Sequence, residues 1–178
     1  MKIEVEKALF PSLAHPKMSV VATCGVERVN AIALAWHTPI ARDPPLYGIS
    51  VAPQRYSYEL IKRTGEFALN FLSYEYWDKL HYCGTHSGRV ENKIECLGLK
   101  LKDCTRIKTK MLAQAYANME CTLFKEVVLG DHTIFVGRVV AAWVDDKFWN
   151  GQELKVEPIY QLGSYSYTTI DRARIAKP

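Results

Sequence analysis

No apolar run in this sequence approaches the roughly 20 residues that a membrane-spanning helix needs. The first residues carry Glu4 and Glu6 where a signal peptide would place its apolar segment, so the expectation is a cytoplasmic protein with no membrane partner. Cysteine is present but unorganised. Cys24, Cys83, Cys96, Cys104 and Cys121 make an odd number without any C-x-x-C, which argues against a disulfide framework or a zinc ribbon and for free thiols. The glycine fingerprint G-x-G-x-x-G is missing, as is regular strand–helix alternation, so a Rossmann domain is disfavoured and any nucleotide has to be held another way. There is no arginine-rich arm and no RNP-type aromatic motif, and the basic stretches 106–110 and 172–177 are short, so nucleic acid is not an expected partner. Repeats, low-complexity tracts and linkers are also lacking, and residues 1–178 read as a single domain.

What is there suits a soluble core. Hydrophobic residues make up 48% and charged residues 24%, with a net charge of +4 that fits an anionic small ligand. Ten tyrosines and four tryptophans favour β structure and flat binding surfaces. Strands are predicted over 18–24, 29–35, 46–52, 66–72, 118–125 and 133–144, the first two as a hairpin about Gly25 and the last two as a ribbon turning at Gly130-Asp131. In 118–125 the alternation places Asn118, Glu120 and Thr122 toward water and Met119, Cys121 and Leu123 toward a core. Gly137, inside the last strand, marks a bulge or a close backbone approach. Short helices are predicted over 56–63, 73–81 and 89–97. Many short strands with two or three helices between them indicate a β-barrel or α+β domain.

Four stretches carry candidate chemistry. In 30–45, from Asn30 through Ala35, Trp36, His37 and Thr38 to Pro44-Pro45, alanines would let a flat ring lie close to the backbone; equally, they would pack a tight barrel around a core Trp36. Arg55-Tyr56-Ser57 opens a predicted helix with a cation, a hydroxyl and free N–H groups, the needs of a phosphate; the plainer reading makes Ser57 an N-cap and Arg55 a surface charge. His86-Ser87-Gly88-Arg89 with Lys93 would place Arg89 and Lys93 on one helical face, either as an anion patch or as a solvated surface. His81, Cys83 and His86 have no fourth ligand, so no metal site is expected. His132, at the start of the last strand, meets a ligand edge or caps the turn.

Taken in order, these segments resemble the flavin-reductase-like family, which includes flavoredoxins and the reductase components of two-component monooxygenases. The counterparts of its motifs are Asn30…Trp36…Pro44-Pro45, Arg55-Tyr56-Ser57, Phe67-Ala68-Leu69-Asn70, Ser87-Gly88-Arg89…Lys93, Gly130-Asp131-His132…Gly137-Arg138-Val139 and the late Leu162-Gly163-Ser164-Tyr165. The resemblance spans about residues 14 to 167. It implies a mainly β, Greek-key antiparallel split barrel that binds FMN and works as a homodimer. The chain departs from the motif at Ala33, Ala35 and Ala41, where the family carries hydroxyl residues, so hydrogen bonds there fall to the backbone.

The same resemblance implies that Arg55, Ser57, Arg89 and Lys93 hold the phosphate and the backbone about Trp36–Thr38 holds the ring, with Asn30 ordering that loop. Asn70, His86, Ser87 and His132 complete the expected cofactor set. No catalytic side chain is expected, because hydride chemistry belongs to the cofactor. The expected activity is an NAD(P)H-dependent flavin reductase, with NADH or NADPH as donor. The alternatives are an FMN-bound electron carrier served by a redox partner protein, or a non-catalytic ligand-binding barrel.

Overall fold

The structure is a computed structural model in which residues 6–163 and 165–171 are described; Ser164 and the basic stretch 172–177 lie outside them. The strands are β1 (Lys17–Met18), β2 (Val20–Cys24), β3 (Asn30–Leu34), β4 (His37–Ala41), β5 (Leu46–Val51), β6 (Glu66–Phe71), β7 (Leu101–Asp103), β8 (Lys110–Leu112), β9 (Ala117–Leu129), β10 (His132–Val144), β11 (Tyr160–Gly163) and β12 (Ser166–Thr168). The helices are α1 (Tyr56–Thr64), α2 (Trp77–Thr85) and α3 (Lys93–Cys96).

Seven strands form one antiparallel sheet in the order β3-β2-β6-β9-β10-β5-β4. Its two edge strands, β3 and β4, are consecutive in the chain and joined only by Ala35 and Trp36. Three peptide steps reach about 10 Å at most, so the edges must meet and the sheet must curl. The result is a mainly β, Greek-key split barrel with three short helices.

The period of two decides which core each side chain joins. In β2, Val20, Ala22 and Cys24 point into the barrel core with Ile49, Phe67 and Phe135, and Val21 points outward to Leu80, Cys83 and Ile94. All five residues of β2 are buried because α2, β8 and Ile94 of α3 cover its outer face. Leu60 and Ile61 of α1 enter the barrel core, and Gly65 ends that helix at φ 69°, its N–H donating to Ile61 O at 2.8 Å. Gly137 fulfils both of its readings. The β9–β10 register shifts at Val136/Gly137, and a Cβ there would meet the Phe67 ring at 2.6 Å and Cys121 Cβ at 2.9 Å.

Four expectations are corrected. Asn118 and Glu120 are buried rather than exposed, because the 104–109 loop and β8 cover that face of β9. The Glu120 carboxylate accepts from the N–H groups of Thr105 and Arg106 and from Trp143 Nε1. Burial opposes its charge, but these donors outweigh that and hold its pKa below the ordinary glutamate value. The helix over 89–97 shrinks to α3, so Arg89 and Lys93 share no helical face. The helix over 73–81 becomes a 3-10 turn, Tyr74–Tyr76, followed by α2. His37–Ala41 is a strand paired with β5, in a stretch left outside the predicted strands.

Candidate functional site

A trough runs along edge strand β3, between α2 on one side and the start of α1 and the end of β5 on the other. At one end is a hollow of about 220 Å³ lined by Asn30, Arg55, Ser57, His86, Ser87 and Lys93, among others. Ile32, Arg55 and Gly84 also line a second hollow of about 190 Å³, which continues past Ala33 and Ala35 to Trp36 and His132. A third, of about 160 Å³, shares Ala33, Ala35 and Gly84 and ends against His81, Tyr165 and Tyr167. Small-molecule sites enclose about 300–1,000 Å³, a size that joined hollows reach and none of these reaches alone.

The first hollow is built around a buried cation. Lys93 is 4% exposed, and its Nζ donates to Cys83 O and His86 O, both at 2.9 Å. An ammonium has three donors, so one remains. Lys93 forms no ion pair among the described residues, and no carboxylate lines the hollow. Burial pushes its pKa below the ordinary lysine value. Arg55 adds a second cation at the N-cap of α1, where the first helical N–H groups lack partners within the helix. A buried charge without a counter-charge is costly, and an anion in this hollow would offset that cost.

The frame around Lys93 is specific. Asn30 Nδ2 donates to Ser57 Oγ at 2.7 Å, tying β3 to α1. Ser57 therefore lies in the first turn and is not the N-cap; Arg55 is. A Cβ on Gly88 would run into Asn30 Oδ1, so the 86–92 loop lies against β3 with the Asn30–Ser57 bond intact because residue 88 has no side chain. A Cβ on Gly84 would meet Ala33 Cβ at 3.3 Å, which brings α2 close over β3.

The remaining predicted residues divide. His86 stacks on Tyr82 with ring centroids 3.6 Å apart, and Ser87 Oγ accepts from Arg89 N–H at 3.3 Å. Trp36 and His132 lie together, centroids 4.9 Å apart, and His132 Nδ1 is 2.8 Å from Asp131 Oδ1. Arg89 is held outside the first hollow, paired with Glu59 at 2.9 Å and lying over the Tyr56 ring. His37 and Thr38 line a different, outer groove with Ile40 and Ile134. The His37 ring is fixed by Tyr47 Oη at 2.7 Å and Met18 O at 2.8 Å, and burial lowers its pKa. Asn70 lines none of these hollows. It is fully buried, donating to Val21 O and accepting from Leu112 N–H and Asn118 Nδ2, so it joins β2, β6, β8 and β9.

Sequence reasoning missed Gly84, which lines all three hollows, and Tyr165 and Tyr167, which close the far end. Glycine in the last turn of a helix signalled the first; Tyr165 stood in the late Leu162-Gly163-Ser164-Tyr165 motif without a site role, and no spacing pointed to Tyr167. Cys24 and Cys83 have pKa values pushed up by burial to about 12 and about 11, so neither is a thiolate nucleophile at neutral pH. Among the described residues no group of three His, Cys, Asp or Glu is arranged to hold a metal.

Residues 12–159 match the model of the flavin reductase like domain. An uncharacterized protein of Archaeoglobus fulgidus is 35% identical over 138 residues, covering 78% of each chain. An NADH-dependent flavin reductase of a Rhodococcus species is 25% identical over 146 residues, 81% of this chain and 78% of that one. The structure superposes on an FMN-binding protein of Thermus thermophilus, crystallised with 1-cyclohex-2-enone, with a TM-score of 0.90 at 28% identity, covering 99% of this chain and 100% of that one. With the family model covering most of the sequence and the split barrel in place, the chain belongs to the flavin reductase like domain family.

Proposed function

We propose that the trough binds FMN and that the protein is an FMN-dependent oxidoreductase, with NADH or NADPH as its electron donor. The observation that carries this reading is the buried Lys93 and the exposed Arg55, in a hollow with no acidic lining residue that adjoins a slot floored by Ala33 and Ala35. The Thermus neighbour's FMN and the Rhodococcus relative's NADH dependence support it.

Lys93, Arg55 and the N–H groups opening α1 hold the phosphate, with Ser57 and Ser87 hydroxyls beside them. Arg89 joins them by leaving Glu59, a half-exposed pair worth about 1 kcal/mol or less. Ala33, Ala35 and Gly84 leave room for the flat ring, and Trp36 and His132 bound its far side. Bound FMN supplies two-electron, hydride-level redox chemistry. The protein positions and shields it, and no side chain acts as nucleophile. The working unit is a cytoplasmic homodimer.

Visible spectra of the purified protein, before and after FMN and then reduced nicotinamide are added anaerobically, test the reading. Saturable FMN uptake followed by bleaching with NADH or NADPH is expected. Uptake without bleaching favours an electron carrier reduced by a partner protein. A colourless protein whose melting temperature FMN leaves unchanged sinks the assignment.

A further inference from the structure

We infer that the β7–β8 hairpin, with the loop that joins its strands, is a docking surface for the acidic face of a partner protein. The inference stands apart from the flavin reading, because none of these residues lines the trough.

Three observations carry it. The first is charge. Residues 100–110 hold Lys100, Lys102, Arg106, Lys108 and Lys110 against one acid, Asp103. This excess of four positive charges equals the formal net charge of the whole chain, so the rest of the sequence is neutral in sum. Lys100, Lys102, Arg106 and Lys108 are exposed, and among the described residues none of the four forms an ion pair. A charge gathered on one face steers a complementary surface during diffusional encounter.

The second is that the backbone carrying these charges is fixed. Thr105 and Arg106 donate their N–H groups to the buried Glu120 carboxylate at 3.0 and 2.7 Å, and Thr109 N–H donates to Glu66. Thr109 Oγ1 donates to Gly25 O at 2.8 Å, and Ile107 packs against Ala68 and Met111. A partner therefore pays little for ordering the loop. The third is an aromatic anchor at its border. Trp143 Nε1 donates to the same Glu120 carboxylate at 2.8 Å, and the residue is 46% exposed. Tryptophan and arginine are the side chains most enriched at the energetic centres of protein interfaces.

Asp103 decides the kind of partner. It pairs with Lys110 across the hairpin at 2.9 Å, and its side chain is 84% exposed. A nucleic acid or an anionic bilayer is negative throughout and would press phosphates against this carboxylate. A protein can set a lysine or a hydroxyl there while its own carboxylates meet the surrounding cations. Residues 100–110 also contain no aromatic ring on which a base could stack. The hairpin follows α3, and Leu112 of β8 joins the cluster of Leu80 and Cys83 in α2, so a docked protein would sit on the outer flank of the trough.

The test uses the full chain and a fluorescently labelled plant-type ferredoxin, a small acidic protein, with anisotropy as the readout. The Debye length shrinks from about 30 Å at 0.01 M ionic strength to about 8 Å at 0.15 M, so binding is measured at both. Wild type should bind the probe at the lower ionic strength. Lys100→Glu, Lys102→Glu and Lys108→Glu combined should weaken it about tenfold or more, since each reversal sets like charges together. The control combines Arg42→Glu, Lys125→Glu and Lys155→Glu, exposed positions elsewhere that change the net charge equally. It should weaken binding less than about threefold, and less still at 0.15 M, where distant charges are screened. Melting curves of both variants should match wild type. No binding by wild type, or equal losses in the two variants, overturns the surface. Tighter binding of an oligothymidylate or of phosphatidylserine vesicles than of the ferredoxin overturns the choice of partner. FMN titration of the same samples tests the cofactor reading separately, and its failure leaves the docking result as it stands.

Discussion

Replacing Lys93 with methionine keeps most of the side-chain volume and removes the charge from the closed end of the trough. If Lys93 holds a phosphate, the loss falls on FMN and spares riboflavin, which has the same ring and no phosphate. A hydrogen bond to a charged group contributes about 1.5–3 kcal/mol, and each 1.4 kcal/mol is a factor of ten, so FMN should weaken by about 10- to 150-fold. Riboflavin should change by less than about twofold. The measurement is quenching of flavin fluorescence on titration with wild type and variant, with the melting curve of each protein taken alongside. Equal weakening of FMN and riboflavin would mean that the substitution loosened the trough as a whole, and an FMN loss below about threefold would mean that Lys93 faces no phosphate. Either result refutes the reasoning.

The same lysine sets a pH dependence. Burial lowers its pKa in the free protein, so between that value and the ordinary lysine value the unfolded chain binds more protons. The stability of the cofactor-free protein therefore rises with pH across this window. A bound phosphate favours the ammonium and raises the pKa, so FMN affinity falls as pH increases through the same range. Opposite slopes for stability and affinity are the expected signature, and Lys93→Met should flatten both.

Three other perturbations follow from the packing. Glu120→Gln replaces a carboxylate held below its ordinary pKa by Thr105 and Arg106 N–H groups; because that stability is present above the unfolded value and lost as pH falls through the folded one, urea melts should show a smaller loss between pH 7 and pH 3 in the variant than in wild type. Gly137→Ala drives a methyl into the Phe67 ring and should cost about 1–3 kcal/mol in denaturant unfolding without changing the ratio of FMN to riboflavin affinity. Gly88→Ala displaces Asn30 from Ser57 and should weaken FMN more than riboflavin, read by the same fluorescence titration.

The elements with a clear period or a clear stop were legible in the chain. Alternation and turn residues placed β2, β3, β5, β6, β9 and β10 within a few residues, and Gly65 marked the end of α1. Short pieces were not legible. β7, β8, β11 and β12 span three or four residues each, too few for any period to emerge, and their pairing is set by distant segments. Polarity misled at Asn118 and Glu120, which looked like a solvated face. A later loop covers them and satisfies their polar groups, a tertiary event that spacing along one strand cannot register.

The site shows the same division. Most of the motif stretches line the trough while Phe67–Asn70 lies in the core, and individual roles depended on distances between segments. Lys93 and Arg89 look alike in the chain; one is buried against two carbonyls with a donor to spare, while the other is neutralised by Glu59. Ala33 and Ala35 look like a loss, since they remove hydroxyls that a ring's polar edge would use. Yet β3 is an edge strand that pairs only with β2 among the described residues, so alternate N–H and C=O groups along it point away from its partner. An exposed edge is ordinarily a liability that invites another chain to pair. Here it faces the trough, where backbone donors and acceptors at fixed spacing can serve a planar heterocycle without any help from side chains. The two-residue link between β3 and β4 makes this possible, because it forces the sheet to curl until edge strand β3 faces the end of β5, and these two with Gly84 of α2 line the slot.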